Sequence, residues 1–136
     1  MLLRRRLDIP TALAGTELVK AIPESELSTL LRRGTSVSIE AGAALINKDT
    51  FGREFIVVLD GTLDVLRDDV FVAEIGAGGI VGEMALLDNA RRNATVVASA
   101  DAQVLVFNRR EFVTVLDECP VFADYVVATA EARQAA

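Results

Sequence analysis

The sequence contains no histidine and no tryptophan, and it has a single cysteine, Cys119. Without histidine, neither a Ser-His-Asp nor a Cys-His nucleophile system can form, and a metal centre with imidazole ligands is excluded. One cysteine forms no internal disulfide and supplies no all-thiolate zinc site, so we expect it to fill space near a helix junction. We expect no metal and no cofactor, and carboxylate-based chemistry remains open in principle for an enzyme.

Long hydrophobic runs are also missing, although 51% of the 136 residues are hydrophobic. No apolar run reaches the roughly 18 residues that suggest a membrane span, and no signal-peptide core follows the arginines at positions 4–6. We expect one domain over residues 1–136, in a cytoplasmic protein without a membrane span. Arginine far outnumbers lysine and alanine is abundant, which favours a GC-rich bacterial source.

Positive charge is scarce, with 14 lysines and arginines against 20 acidic residues and a net charge of −6. This balance argues against a nucleic-acid partner, because binding to nucleic acids depends on neutralising phosphates. Any anionic ligand must therefore find a local positive site within an unfavourable overall field.

The apolar spacing predicts helices at both ends of the chain. Over 1–34, leucines recur at helical spacing, Pro23 suits a first helical turn and Gly34 suits a C-terminal cap. A shorter helix is expected around residues 13–21. Over 109–136 the spacing is again helical, and Pro120 should divide this region into two helices.

Between these helices, residues 35–108 read as a β region. Its short β-rich runs are EFIVVL, TLDVLR, VFVAEI, ATVVAS and QVLVFN. Turn signals rich in glycine and aspartate separate the runs, including Asp49 to Gly52 and the pair Asp68-Asp69. Many short strands with such turns predict a mainly β fold with flanking helices, an antiparallel sandwich or barrel.

One segment carries features of a ligand site. Gly76, Gly78, Gly79 and Gly82 crowd together, and strong helix formers follow over 83–87. A glycine-rich turn that opens a short helix favours anion binding, because the backbone approaches closely and free N–H groups point at the ligand.

Charged side chains add chemistry to this segment. Arg91 and Arg92 follow it, and a guanidinium can engage two phosphate oxygens at once. Glu83 would repel a phosphate, so its place there makes sense if the ligand also offers a hydroxyl group, such as a ribose 2′-OH.

The stretch VGEMALLDNARRNATV, within residues 78–96, resembles the phosphate-binding cassette of cyclic-nucleotide-binding domains. This family includes domains of protein kinase A regulatory subunits, catabolite activator protein and gated ion channels. The likeness extends over nearly the whole chain, and it implies an antiparallel β-roll of the jelly-roll type. By this resemblance Arg92 is the phosphate arginine, Glu83 is the ribose-binding glutamate, and the N–H groups of Gly82 and Ala85 face the phosphate. The implied ligand-binding residues are Gly82, Glu83, Met84, Ala85, Arg91, Arg92, Asn93 and Ala94.

Three positions depart from the family pattern. Arg91 stands where the family often has proline, Asn93 where a small residue is usual, and Val81 where an aromatic residue is usual. These departures motivate one alternative, a degenerate domain that serves as a protein interaction module without nucleotide binding. A carboxylate-based enzyme on a jelly-roll scaffold is a second alternative, but it would need a pair of carboxylates, and only Glu83 stands in a credible place.

The function implied by the resemblance is that of a regulatory sensor and not of an enzyme. Its ligand is a cyclic nucleotide, with cAMP favoured over cGMP, and the C-terminal helices from Arg109 onward would close over it. We expect Phe122 and Tyr125 to lie in the core, with base stacking in that lid as the alternative. No DNA-binding, kinase, cyclase or pore segment follows, so the sensor is expected to act on an unknown effector protein in trans, or to belong to a larger protein. A homodimer is a further expectation.

Overall fold

The computed structural model describes residues 9–46, 54–83 and 94–135. Within these residues, two helices come first, eight short strands follow, and two helices come last. The helices are α1 (Glu17–Ala21), α2 (Glu24–Arg33), α3 (Arg109–Glu118) and α4 (Pro120–Ala135). The strands are β1 (Thr35–Ile39), β2 (Ala44–Ile46), β3 (Glu54–Asp60), β4 (Leu63–Arg67), β5 (Val70–Ile75), β6 (Ile80–Val81), β7 (Thr95–Ala98) and β8 (Ala102–Asn108).

The described strands form two four-stranded antiparallel sheets. Their orders are β1-β8-β3-β6 and β2-β7-β4-β5. The predicted mainly β roll with flanking helices is confirmed, and the described strands lie in two sheets rather than in one closed barrel. No helix in the described part of the chain is both long enough and apolar enough to cross a membrane.

Strand β3 is buried on both faces and separates two apolar clusters. Phe55, Val57 and Leu59 pack with the helices, whereas Ile56 and Val58 pack between the two sheets. Successive side chains of a strand point to opposite faces, so the continuous apolar run EFIVVL supplies both clusters at once. The first sheet is therefore the middle layer, with helices on one face and the second sheet on the other.

Four of the six phenylalanines join the helices to this middle sheet. The Phe55 ring lies 4.5 Å from the Phe112 ring, 5.7 Å from Phe107 and 6.0 Å from Phe122, measured between ring centroids. All four residues are at most 2% exposed. Tilted aromatic pairs at these distances stabilise a core beyond the burial of their area. The cluster fixes α3 and α4 against β3.

The turns follow the sequence prediction where they are described. Asp68 and Asp69 both have positive φ, 54° and 64°, in the two-residue turn between β4 and β5. Two successive positive φ values define a type I′ turn, whose twist matches that of the hairpin strands. The predicted turn at residues 49–52 lies outside the described residues. Strands β2 and β6 were not predicted individually, because three and two residues are too few to show a period.

Prolines mark the helix boundaries. Pro120 is the first residue of α4, which confirms the predicted division of the C-terminal region into two helices. Pro23 is the N-cap of α2 and not part of its first turn, so that prediction was wrong by one position. Gly34 is the C-cap of α2, as predicted.

A buried carboxylate from α2 caps the start of α4. Glu26 is 8% exposed. Its Oε1 accepts a hydrogen bond of 2.7 Å from the Phe122 N–H, and its Oε2 accepts one of 3.2 Å from the Val121 N–H. The first N–H groups of a helix have no partner within the helix, and a negative charge there is favourable. This contact joins the N-terminal and C-terminal helices.

Cys119 lies at the junction between α3 and α4, where it is fully buried, as the sequence predicted. Burial raises the pKa of its thiol, and the nearby charges of Glu26 and Glu118 raise that pKa further. The thiol therefore keeps its proton more strongly in the folded state than in the unfolded state.

This pKa shift predicts a loss of stability at high pH. The stabilisation is fully present below the unfolded thiol pKa near 9.0 and is lost as the pH rises through the higher folded pKa. Between these two pKa values the free energy of unfolding should fall by up to about 1.4 kcal/mol per pH unit through this thiol. Urea unfolding of the wild type and of Cys119→Ala at pH 8, 9 and 10 measures this slope. The variant should show the shallower decline, and Tyr125, whose pKa burial also raises, is present in both proteins. Equal slopes would contradict the assignment.

Candidate functional site

The described part of the site begins where β6 ends. Strand β6 pairs with β3, with Val81 opposite Ile56. The next residue, Gly82, has a φ of 92°. L-residues with a side chain rarely adopt this conformation, so glycine is required to turn the chain out of the sheet. The turn leaves Glu83 buried, with only 1% of the residue exposed.

The two oxygens of the Glu83 carboxylate have different surroundings. Oε1 accepts a hydrogen bond from Nη1 of Arg133 at 2.5 Å, and the two side chains form an ion pair. Oε2 is buried and has no hydrogen-bond partner among the described residues. A buried polar atom without a partner costs about 1–3 kcal/mol, a cost that a hydrogen-bond donor from a ligand or from water would remove.

Arg133 belongs to the last turn of α4, far from the cassette in the sequence. Its side chain is 34% exposed, which leaves it partly in contact with solvent. Arg133 is not among the site residues predicted from the sequence. One feature of the sequence could have indicated it. Arg133 is the only basic residue in a helix made mostly of alanine, valine and other uncharged residues.

Two of the preceding glycines, Gly78 and Gly79, lie in close packing contacts, whereas Gly76 does not. Gly78 has a φ of 82°, and a Cβ atom there would lie 2.7 Å from Thr16 at the start of α1. A Cβ atom on Gly79 would lie 2.2 Å from the side chain of Ile75. The glycine cluster therefore divides into a close-packed turn over 76–79 and the single residue that positions Glu83, Gly82.

Of the other predicted site residues, the structure describes Ala94 alone. Ala94 is 6% exposed and directly precedes β7, a strand of the second sheet. The cassette therefore leaves the chain's first sheet at Gly82 and enters its second sheet after Ala94. The remaining predicted residues lie outside the described residues, and their roles stay predictions: Met84, Ala85, Arg91, Arg92 and Asn93.

The two aromatic residues considered for a lid lie on the core side of α4. Phe122 is fully buried against Phe55, so it belongs to the core. Tyr125 is partly buried and packs against the same cluster. Desolvation raises the pKa of its hydroxyl and Glu17 raises it further, whereas Arg133 lowers it. At neutral pH this hydroxyl is protonated.

The electrostatics of the described site suit a neutral donor rather than a second anion at Glu83. Removing an unpaired carboxylate from water costs several kcal/mol by order of magnitude, and the Arg133 guanidinium offsets this cost. The ion pair leaves one oxygen as a hydrogen-bond acceptor for a hydroxyl or N–H group. Among the described residues, no group of three or more acidic, cysteine or histidine side chains is placed to hold a metal ion.

The comparisons with known proteins concern the family of the sequence and the fold. The sequence model of the family described as cyclic nucleotide-binding domain matches residues 36–119. In the solved structure described as Sp-2Cl-cAMPS bound to PKAR CBD2, the similar chain gives a TM-score of 0.79 at 24% identity. That match covers 92% of this chain and 84% of the other, and it concerns the fold.

Two curated proteins illustrate the range of relatives. The cAMP-dependent protein kinase regulatory subunit of Blastocladiella emersonii is 32% identical over 117 residues, which cover 82% of this chain and 29% of that protein. A cGMP-dependent protein kinase of Caenorhabditis elegans is 29% identical over 104 residues, which cover 76% of this chain and 13% of that protein. The chain thus spans less than a third of the length of either relative.

The ion pair predicts a specific pattern of stability changes. Arg133→Met removes the partner of the buried Glu83 carboxylate, and we expect the free energy of unfolding to fall by about 1–3 kcal/mol. This range lies below that of a fully buried pair because Arg133 is partly exposed. Adding Glu83→Gln to the variant should recover most of the loss, since it removes the unpaired charge.

Chemical denaturation of the single and double variants measures this pattern. Arg110→Met, at an exposed arginine of α3, is the matched control and should change stability by less than about 0.5 kcal/mol. An Arg133→Met variant as stable as this control would show that the ion pair contributes nothing.

Proposed function

The chain belongs to the cyclic nucleotide-binding domain family, and from this premise we propose that it binds a cyclic nucleotide, cAMP in preference to cGMP, and regulates an effector protein in trans. The observation that carries this proposal is the Glu83 carboxylate. It is buried at the end of β6, with one oxygen paired to Arg133 and the other without a partner among the described residues.

The proposed ligand matches this arrangement group by group. A ribose 2′-hydroxyl donates a hydrogen bond to Oε2 of Glu83, which satisfies the buried oxygen. The cyclic phosphate pairs with Arg92, the arginine that the cassette pattern assigns, and accepts hydrogen bonds from the N–H groups of Gly82 and Ala85. Arg133 reduces the repulsion between the Glu83 carboxylate and the phosphate, because its positive charge lies directly on that carboxylate.

The proposed preference for cAMP follows the family resemblance of the sequence, and the identities of the relatives do not favour either nucleotide. One relative named as a cAMP-dependent regulatory subunit is 32% identical over 82% of the chain, and one named as a cGMP-dependent kinase, from Drosophila melanogaster, is also 32% identical, over 76%. A threonine after the phosphate arginine is associated with cGMP preference in the family pattern, and Asn93, which stands at that position here, favours neither nucleotide.

The proposed output is regulatory and not catalytic. A ligand that binds at Glu83 acts on α4 through Arg133, so ligand binding affects how the C-terminal helices are held. Such coupling transmits a signal only if α4 is held differently in the free and bound states. Incubation with cAMP should therefore return the nucleotide intact, and hydrolysis by the purified protein would contradict this part of the proposal.

Calorimetric titration with cAMP and cGMP tests the proposed function. Co-purified nucleotide is first removed by unfolding and refolding, and its absence is checked by mass spectrometry. We expect saturable binding near one nucleotide per chain, tighter for cAMP. Absence of binding by a protein that is folded and empty would overturn the proposal.

Substitutions at the adjacent residues Arg91 and Arg92 should show which of them binds the phosphate. Arg92→Ala should weaken cAMP binding by about 2–5 kcal/mol, or roughly 30-fold to several thousand-fold, because it removes the charge partner of the phosphate. Arg91→Ala is the matched control and should cost less than about 1.4 kcal/mol, or tenfold. Calorimetry of both variants measures the difference. If the order of the two variants is reversed, Arg91 is the phosphate residue.

A second pair of titrations isolates the hydroxyl contact. Glu83→Ala should weaken the binding of cAMP more than that of 2′-deoxy-cAMP, because only the ribose form loses a hydrogen bond to the carboxylate. The coupling should amount to about 1.5–3 kcal/mol, the range for hydrogen bonds to charged groups. Equal losses for the two ligands would refute the hydroxyl-accepting role.

A further inference from the structure

Two buried charged residues stand out among the described residues, Glu26 and Glu83. Both contact α4, at opposite ends. Glu26 accepts hydrogen bonds from the N–H groups of Val121 and Phe122, and Glu83 pairs with Arg133. Burial of a carboxylate is costly, so each of these contacts depends strongly on the position of the helix.

The helix between the two contacts can transmit a displacement. Phe122, Val126 and Ala130 form one buried line along α4, and Arg133 continues it by one more turn. At 1.5 Å per residue, the eleven steps from Phe122 to Arg133 span about 16 Å. Helix α4 has no proline or glycine after Pro120, so it lacks the two residues that most often kink a helix. Loss of one end contact should therefore loosen the other.

We propose that Glu26 is a positioning residue for the nucleotide site. By capping the N-terminus of α4, it keeps Arg133 on the Glu83 carboxylate. The inference rests on the proposed function, because the affected step is nucleotide binding. Its sign follows from charge: Arg133 offsets the Glu83 charge that would repel the cyclic phosphate, so a loosened α4 lowers nucleotide affinity.

The coupling must also act in the reverse direction. If docking of α4 onto α2 raises nucleotide affinity, then bound nucleotide strengthens the contact between Glu26 and α4 by the same factor. An effector protein that draws α2 away from α4 would therefore weaken nucleotide binding, and nucleotide would oppose that effector. The N-terminal helices thus take part in transmitting the signal, together with the C-terminal helices.

A double-mutant cycle on cAMP affinity tests the proposal. Glu26→Gln keeps the size of the side chain and removes its charge, and it should weaken cAMP binding by roughly 3-fold to 30-fold. Arg133→Met should weaken it by at least as much. In the Arg133→Met background, Glu26→Gln should change the affinity by less than about twofold, since its effect passes through Arg133. Glu24→Gln, at an exposed residue of the same helix turn, is the control and should leave affinity unchanged.

The outcomes separate this inference from the proposed function. If the wild type binds cAMP and the two variants lose affinity independently, or Glu26→Gln behaves like Glu24→Gln, Glu26 does not position the site. If the folded wild type binds no cyclic nucleotide, the proposed function fails first. The urea midpoints of the wild type, Glu26→Gln, Arg133→Met and the double variant then test the link between the two contacts without ligand. Sub-additive shifts support the link, and additive shifts overturn it.

Amide hydrogen exchange gives a second readout that does not depend on a variant. Saturating cAMP should slow exchange at the N–H groups of Val121 and Phe122, which donate hydrogen bonds to Glu26. Unchanged exchange at both groups in the cAMP-bound wild type would overturn the coupling.

Discussion

The Glu83 carboxylate lies at the end of a strand in the middle layer, where water cannot satisfy it, and its negative charge must be balanced by the protein. Arg133 supplies the balance from α4, 50 residues further along the chain. The C-terminal helix must therefore lie where its last turn reaches Glu83. One oxygen is left without a partner among the described residues, and this leaves the carboxylate able to accept a hydrogen bond from a ligand.

The layered core makes this arrangement possible. Strand β3 is buried on both faces, so it holds the helices on one side and the second sheet on the other. Its neighbour β6 ends at Gly82, and the phenylalanine cluster around Phe55 fixes α3 and α4 against the same sheet. The ion pair between Glu83 and Arg133 thus connects two parts of a single packed body. A ligand at Glu83 acts on a helix that the core already orients.

Local features of the sequence predicted much of the fold. The β-rich runs, the turn at Asp68-Asp69 and the break at Pro120 depend on residues close together in the chain, and the structure confirms them. The cassette pattern also selected Gly82 and Glu83, whose φ and burial mark them as special positions. Arg91 and Arg92 lie outside the described residues, so their assignment still depends on the pattern alone.

The contacts that join the two ends of the chain could not be predicted in this way. Glu26 caps a helix 96 residues away, and Arg133 reaches back over 50 residues. Neither pairing leaves a period or a motif in the sequence, because each depends on how the helices pack on the sheet. The glycines at 76–79 show the reverse case: a local pattern suggested a ligand site, and tertiary packing against Thr16 and Ile75 accounts for Gly78 and Gly79.

The most direct test of the account is a crystal structure of the protein with cAMP bound. The account predicts the ribose 2′-hydroxyl within hydrogen-bond distance of Glu83 Oε2, about 2.5–3.0 Å, with Arg133 still paired to Oε1. A nucleotide bound elsewhere, or one whose ribose makes no contact with Glu83, would contradict the central claim that this buried carboxylate joins the ligand to the C-terminal helix.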